Sequence, residues 1–139
     1  MKRITLLATA IGVAMLLASG VALAATFDGT DGPDTFVGTD GPDDIRGRAG
    51  NDTTSGDGGA DEVRGGLGDD DMLGGGGADF IRADDAGLDS VSGGIGADVI
   101  EAHDDAGIDT IDCGDGVDTV DFDAGVDVVA ANCENQDPH

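Results

Sequence analysis

An aspartate recurs about every nine residues along most of this chain, and an apolar residue or a threonine follows it two positions later. A glycine stands two positions before each of these aspartates without exception. Eleven such coincidences have a chance probability below about one in ten million, so the period reflects the fold. The eleven ladder aspartates are Asp34, Asp43, Asp52, Asp61, Asp70, Asp79, Asp89, Asp98, Asp109, Asp118 and Asp127.

Each nine-residue unit combines a bend with a very short strand. Successive glycines permit left-handed and crowded backbone conformations, which bend the chain and bring carbonyl oxygens together. The three residues Asp-x-apolar suit a strand whose alternate side chains point inward. One bend and one strand make half a coil, so stacked coils of eighteen residues form two parallel sheets. The pattern predicts an all-β fold over residues 25–129, with two parallel sheets built from about eleven nonapeptide half-coils and without a helix.

The composition alone would indicate disorder. The 139 residues include 30 acidic and 6 basic side chains, for a net charge of −24, and neither tryptophan nor tyrosine. The acidic excess disfavours a nucleic acid or an anionic membrane as a partner, because both are polyanions. One inward apolar side chain per unit gives a thin core, and the crowded carboxylates repel one another. Calcium prefers carboxylate and carbonyl oxygens, so it would both neutralise this charge and bind the coils together.

The period also predicts where such ions would lie. Turns eighteen residues apart stack on the same edge, so the pairs from Asp34/Asp52 to Asp109/Asp127 face common gaps and allow at most nine sandwiched ions. Magnesium is less suitable, because it requires strict octahedral geometry and releases water reluctantly. All eleven ladder aspartates are therefore candidate ligands. The turns that end at Asp89, Asp109 and Asp127 depart from the pattern, and remodelled, carboxylate-rich or absent sites are all compatible with their sequences.

The most regular units resemble the nonapeptide G-G-x-G-x-D-x-U-x, with U apolar, of the RTX or haemolysin-type calcium-binding proteins. Residues 65–72, 74–81 and 93–100 match it fully, and residues 29–34 and 38–43 resemble its Gly-Thr variant. The resemblance extends over residues 28–129 and implies a parallel β-roll, or right-handed β-solenoid, that folds around calcium. The turn glycines expected to supply backbone carbonyl ligands are Gly65, Gly66, Gly68, Gly74, Gly75, Gly77, Gly93, Gly94 and Gly96.

Residues 1–24 have the features of a signal peptide. A basic start, Met1-Lys2-Arg3, precedes an apolar stretch over residues 4–17, and Ala22-Leu23-Ala24 has the small-x-small pattern of a cleavage site. A buried or membrane-spanning helix is the alternative. The apolar run is shorter than a bilayer span, however, and no stop-transfer charges follow it. We therefore expect cleavage near Ala24 and a secreted, extracellular product without membrane insertion.

The two cysteines, Cys113 and Cys133, are predicted to form one disulfide, because exported chains meet oxidising conditions. This bond would fasten a C-terminal cap or tail, residues 130–139, over the open end of the roll. Two free thiols are the alternative. Metal ligation by the pair is disfavoured, because no further cysteine or suitably spaced histidine accompanies them.

No catalytic constellation is recognisable in the sequence. His103 stands before Asp104 and Asp105, and a catalytic base or a transition-metal ligand is one interpretation. A solvated loop histidine is the more typical one, since no nucleophile or second ligand accompanies it. A nucleophile elbow and a zinc-binding helix are also missing. The sequence thus predicts an exported calcium-binding β-roll that folds on binding several ions and is not an enzyme. The alternative is a structural or adhesive solenoid that binds ice or a surface, although the outward residues after the ladder aspartates form no regular threonine row in sequence order.

Overall fold

The computed structural model describes residues 23–83, 86–103 and 107–139. Over these residues the chain forms thirteen strands and no helix. Most of the predicted signal peptide, residues 1–22, lies outside the described residues, as do Asp84, Asp85, Asp104 and Asp105 of the two turns with insertions. No helix in the described segments has the length and apolar character needed to cross a membrane. The strands are β1 Thr26–Asp28, β2 Thr35–Val37, β3 Asp44–Ala49, β4 Thr53–Gly58, β5 Glu62–Leu67, β6 Asp71–Gly76, β7 Phe80–Arg82, β8 Ser90–Gly96, β9 Val99–Ala102, β10 Thr110–Gly116, β11 Thr119–Phe122, β12 Val128–Val129 and β13 Asn135–Pro138.

The strands alternate between two parallel sheets. The seven-stranded sheet has the order β1-β3-β5-β7-β9-β11-β13, and the six-stranded sheet has the order β12-β10-β8-β6-β4-β2. Each strand pairs with the strand two places along the chain, so one coil contains two strands and two bends. Ile45 lies opposite Val63, eighteen residues later, and Val91 lies opposite Ile111, twenty residues later, so the insertions fall in bends. The prediction of an all-β parallel β-solenoid is confirmed, with about six coils.

The core between the two sheets is formed mainly by one side chain from each half-coil. The residue two positions after each ladder aspartate points inward, as the alternation of a strand requires. Thr54 occupies this position in β4 and is only 2% exposed, which places a hydroxyl in the apolar row. The buried apolar members of the row are Phe27, Phe36, Ile45, Val63, Met72, Ile81, Val91, Ile100, Ile111 and Val120.

Nine of the thirteen strands in the described residues are longer than the predicted three residues. β3 to β6 each begin one residue after the ladder aspartate and extend for six residues, through the positions assigned to the bend. The prediction that the aspartate belongs to the strand and the glycines to the bend was wrong for these units. The glycine backbone continues to pair with neighbouring coils, as Gly75 does with Gly94, which satisfies its hydrogen-bonding groups. The fourth residue after the aspartate is buried as a consequence: Gly47, Gly56, Gly65, Gly74, Ala83, Gly93, Ala102 and Cys113.

Two strands lie beyond the ladder of the sequence. β1 precedes the first ladder aspartate and pairs with β3, while β13 follows the last one and pairs with β11. The tail therefore extends the roll by a strand of the seven-stranded sheet. The predicted disulfide between Cys113 and Cys133 is present, and both residues are buried in the core.

Candidate metal sites

The ladder aspartates form two columns, one beside each sheet. Each aspartate directly precedes a strand, so the alternation of strands distributes the aspartates between the two edges. The first column, beside the seven-stranded sheet, contains Asp43, Asp61, Asp79, Asp98 and Asp118. The second column, beside the six-stranded sheet, contains Asp34, Asp52, Asp70, Asp89, Asp109 and Asp127.

Successive members of a column are joined by hydrogen bonds. The backbone N–H of Asp43 donates to Oδ1 of Asp61 at 2.8 Å, and the N–H of Asp61 donates to Oδ1 of Asp79 at 2.9 Å. The same hydrogen bond recurs along the second column. In the last one, the backbone N–H of Asp109 donates to Oδ1 of Asp127 at 3.0 Å. The structure thus brings together the pairs that the sequence places in common gaps, and one oxygen of the later carboxylate is already used in this contact.

Burial perturbs the ionisation of the columns. All the ladder aspartates are buried except Asp127, which is half-buried. Burial raises the pKa of Asp61 to about 6, although the hydrogen bond from the backbone of Asp43 lowers it. Burial also raises the pKa values of Asp52, Asp79 and Asp98. The fold therefore holds carboxylates in an environment that disfavours their charged form unless a cation compensates them.

The second carboxylate oxygen identifies positions that suit a cation. A buried carboxylate oxygen without a partner is energetically costly, and coordination to a cation removes that cost. Five ladder aspartates bury an Oδ2 atom that accepts no hydrogen bond: Asp52, Asp61, Asp79, Asp98 and Asp118.

Backbone carbonyl oxygens lie close to these carboxylates because glycine leaves room for them. A Cβ atom on Gly56 would lie less than 3.0 Å from both Oδ2 of Asp61 and the carbonyl oxygen of Gly74. Real Cβ atoms essentially never approach so closely, so only glycine permits this arrangement. A carboxylate oxygen and a carbonyl oxygen are the donors that calcium prefers. The same crowding by a carboxylate and a carbonyl oxygen occurs at Gly47, Gly74 and Gly93.

The left-handed backbone of the turns explains the glycine pairs. In the fully matching units the second glycine of the pair has a positive φ, for example 103° at Gly66 and 113° at Gly75. Arg48 and Asp57 adopt the same conformation without being glycine, with φ of 80° and 75°.

No group of three His, Cys, Asp or Glu side chains in the described segments is arranged to hold a metal ion. An ion between these turns would therefore need backbone carbonyl oxygens beside the carboxylates, and this oxygen donor set fits calcium.

Two positions of the first column are not ladder aspartates. Oε2 of Glu134 accepts the backbone N–H of Asp118 at 3.1 Å, so Glu134 continues the column after Asp118. It lies sixteen residues after Asp118, and the period therefore does not predict it. At the other end, the N–H of Ala25 donates to Oδ1 of Asp43 at 2.6 Å. The spacing of nine residues between Phe27 and Phe36 is the sequence signal for this additional half-coil.

His103 has partners that sequence spacing does not reveal. Its Nδ1 lies 3.6 Å from Oδ2 of Asp121, and Nε2 of His139 lies 2.8 Å from Oδ1 of the same carboxylate. The centroids of the two imidazole rings are 5.6 Å apart. A second histidine and a carboxylate thus accompany His103, contrary to the sequence-based expectation, because β9, β11 and β13 are neighbours in the sheet.

A parallel β-solenoid whose glycine-rich turns stack buried carboxylates and carbonyl oxygens in columns defines the class of calcium-binding β-rolls. The family model of the RTX calcium-binding nonapeptide repeat matches the chain four times, over residues 28–63, 55–81, 83–106 and 101–129. These matches cover more than half of the chain, which belongs to this family. Among curated proteins, none matches the sequence.

Proposed function

We propose that this protein is a secreted calcium-binding module that folds when several calcium ions bind and that performs no catalysis. The single observation that carries the proposal is the set of buried Oδ2 atoms without hydrogen-bond partners, at Asp52, Asp61, Asp79, Asp98 and Asp118. These oxygens make the metal-free fold unfavourable, because each removes a carboxylate from water without compensation. Calcium supplied from outside would shift the equilibrium from the unfolded to the folded chain, since it binds the folded columns and not the extended chain.

The arginines of the described chain do not neutralise the columns as a whole. Arg46 pairs with Asp44, Arg48 with Asp28, Arg64 with Glu62 and Arg82 with Glu101. These residues lie in β1, β3, β5, β7 and β9, on the outward positions of the seven-stranded sheet. An external cation is therefore the compensation that we propose for the buried aspartates on both edges.

Export is supported by independent features of the chain. The first 24 residues have the pattern of a signal peptide, and Cys113 is joined to Cys133, as is common in oxidising compartments. Extracellular calcium-binding modules generally have weak affinities, of about 0.1–1 mM. A chain that folds at such concentrations would stay unfolded during export and fold outside the cell.

The proposal is tested by titrating the chain without residues 1–24 with calcium and recording circular dichroism, with magnesium as the matched control. We expect a transition from coil to β structure with calcium and little change with magnesium. Limited proteolysis with and without a chelator should show resistance only when calcium is bound. A coil signal that persists at about 10 mM calcium, above the usual extracellular range, would refute the proposal, as would equal protease resistance after chelation.

An adhesive role has one specific observation in its favour. In sequence order the outward residues after the ladder aspartates are irregular, but the two sheets separate them. On the six-stranded sheet they are aligned by the register of the strands, and four of the six carry a hydroxyl group. The exposed row is Thr35, Thr53, Asp71, Ser90, Thr110 and Val128.

This second candidate is an ice-binding or surface-binding solenoid that uses calcium only for stability. Its test is inhibition of ice recrystallisation by the calcium-loaded protein and by the variant Thr53→Glu, which interrupts the row at β4. Thr119→Glu introduces the same charge on the opposite sheet and serves as the control. Inhibition that is lost in the first variant alone would support the role, and no inhibition by the unchanged protein would exclude ice binding.

A further inference from the structure

Within each column, the turns differ in whether a hydrogen bond reaches Oδ2 of the ladder aspartate. In the turn ending at Asp34, the backbone N–H of Thr30 donates to Oδ2 at 2.6 Å, and the Thr30 hydroxyl lies 3.0 Å from the same atom. In the turn ending at Asp43, the N–H of Thr39 donates to Oδ2 at 2.6 Å. The donor belongs in both turns to the residue four positions before the ladder aspartate.

The same arrangement recurs at the end of the second column. The N–H of Asp123 donates to Oδ2 of Asp127 at 2.8 Å, again from four positions earlier. None of the three donor residues has a left-handed backbone. We call the turns ending at Asp34, Asp43 and Asp127 the closed turns, because the backbone itself occupies the second carboxylate oxygen.

A second group of turns has the opposite combination. The residue four positions before the aspartate has a φ between 75° and 113°, and Oδ2 of the aspartate is buried without a hydrogen bond. Among these eight described turns, the backbone N–H reaches Oδ2 where this residue is not left-handed and leaves Oδ2 without a hydrogen bond where it is. We call these the open turns, and they end at Asp52, Asp61, Asp79, Asp98 and Asp118, with Arg48, Asp57, Gly75, Gly94 and Gly114 at the left-handed position.

We propose that calcium is bound by the open turns and not by the closed turns. This inference rests on the proposed function, and it makes the number of ions smaller than the period alone allows. In a closed turn a charge-assisted N–H hydrogen bond already compensates Oδ2, so a cation gains less there than at an oxygen without a partner. In an open turn the same oxygen has no protein partner, and coordination costs no existing contact.

The positions of the closed turns give them a structural role. Asp34 and Asp43 begin the two columns of ladder aspartates, and Asp127 ends the second column. Pro33 and Pro42 lie in the first two closed turns, where the fixed φ of proline restricts the backbone before any ion binds. The start of both columns and the end of the second column are thus held by protein groups, and calcium acts on the open turns.

Matched substitutions in neighbouring turns of one column test the inference. Asp61→Asn changes an open turn, and Asp43→Asn makes the same change in the closed turn one coil earlier. Asp52→Asn and Asp34→Asn form the equivalent pair in the second column. Native mass spectrometry would count the bound ions at saturating calcium, with circular dichroism as the check on folding. We expect the open-turn variants to lose at least one ion and the closed-turn variants to keep the number of the unchanged protein.

A gain of binding provides a test that misfolding cannot imitate. The variant Thr39→Gly, Asp40→Gly and Pro42→Ala gives residues 38–43 the sequence of the open turn at residues 74–79. We expect it to bind at least one additional ion. Equal ion loss in both members of each Asn pair, or no gain in the exchanged turn, would overturn the inference. An unchanged protein that binds no calcium at all would instead refute the proposed function.

Discussion

The smallest feature that shapes this protein is the missing side chain at the buried glycines of its turns. Gly56 faces both Oδ2 of Asp61 and the carbonyl oxygen of Gly74, and a methyl group there would overlap both atoms. Gly58 lies in the same strand, yet the nearest atom to a Cβ at that position is 3.7 Å away. Two glycines in one nonapeptide therefore differ in their tolerance of a side chain.

Gly56→Ala is expected to destabilise the calcium-loaded protein by about 1–3 kcal/mol, because it overpacks the turn and displaces the carboxylate. The measurement is thermal unfolding at saturating calcium together with the calcium midpoint by circular dichroism. Gly58→Ala is the matched control, and it should change either quantity only slightly. Equal behaviour of the two variants would show that the space beside Asp61 is not needed.

The raised pKa of Asp61 leads to a prediction about pH. Burial moves this pKa from 3.8 to about 6, so the folded metal-free chain holds more protons than the unfolded chain between these values. Its contribution to stability is complete below pH 3.8 and is lost as the pH rises through 6. Asp52, Asp79 and Asp98 are shifted in the same direction. Chelated protein should therefore gain β structure as the pH falls from 7 to 4.

Circular dichroism of the chelated protein across this pH range measures the effect. Protonation replaces calcium as the means of neutralising the buried carboxylates, so calcium should add less β signal at pH 5 than at pH 7. The variant Asp61→Asn removes one of the titrating groups and should weaken the dependence on pH. A β signal that stays constant or falls on acidification would contradict the prediction.

At the scale of the strand, one inward position per half-coil determines how well neighbouring coils pack. Thr54 occupies that position in β4, between Phe36 and Met72 of the paired strands. Its hydroxyl oxygen is buried and makes no hydrogen bond. The next residue outward, Thr53, is exposed, so the two threonines offer the same chemistry on opposite faces of one strand.

Thr54→Val should raise the free energy of unfolding by about 1–3 kcal/mol, because it removes an unsatisfied buried hydroxyl and retains the β-branched shape. Thermal unfolding in calcium measures the change. Thr53→Val is the control, and we expect it to have less than about 0.5 kcal/mol of effect, as for most surface substitutions. A destabilised Thr54→Val variant would indicate that the hydroxyl has a partner in solution.

At the scale of the whole molecule, the disulfide joins the tail to the body of the roll. Cys113 lies in β10 of the six-stranded sheet, whereas Cys133 precedes β13 of the seven-stranded sheet. Glu134 follows Cys133 directly and accepts the N–H of Asp118. The bond therefore holds both the last strand and the last carboxylate of the first column in place.

The double variant Cys113→Ala and Cys133→Ala should lose about 3 kcal/mol of stability, the value expected for a loop of about 20 residues in the chain-entropy model. Alanine suits the core at position 113, since Ala83 and Ala102 occupy the equivalent inward positions. Thermal unfolding with and without a reductant provides the control: the reductant should lower the midpoint of the unchanged protein and leave the variant unaffected. Equal midpoints for the two oxidised proteins would contradict the prediction.

The sequence by itself determined the repeating parts of this protein: two parallel sheets, the inward apolar row, the inward Thr54 and the cysteine pair. It did so because stacked coils repeat one local pattern, so that spacing along the chain directly predicts spacing in the fold. Only the tertiary structure decided which aspartates keep an unpartnered oxygen, since that depends on the backbone four residues earlier and on the neighbouring coil. It also decided the place of Glu134, which is off the period, and the approach of His139 to His103, because residues distant in sequence become neighbours only when the strands of the sheet pair.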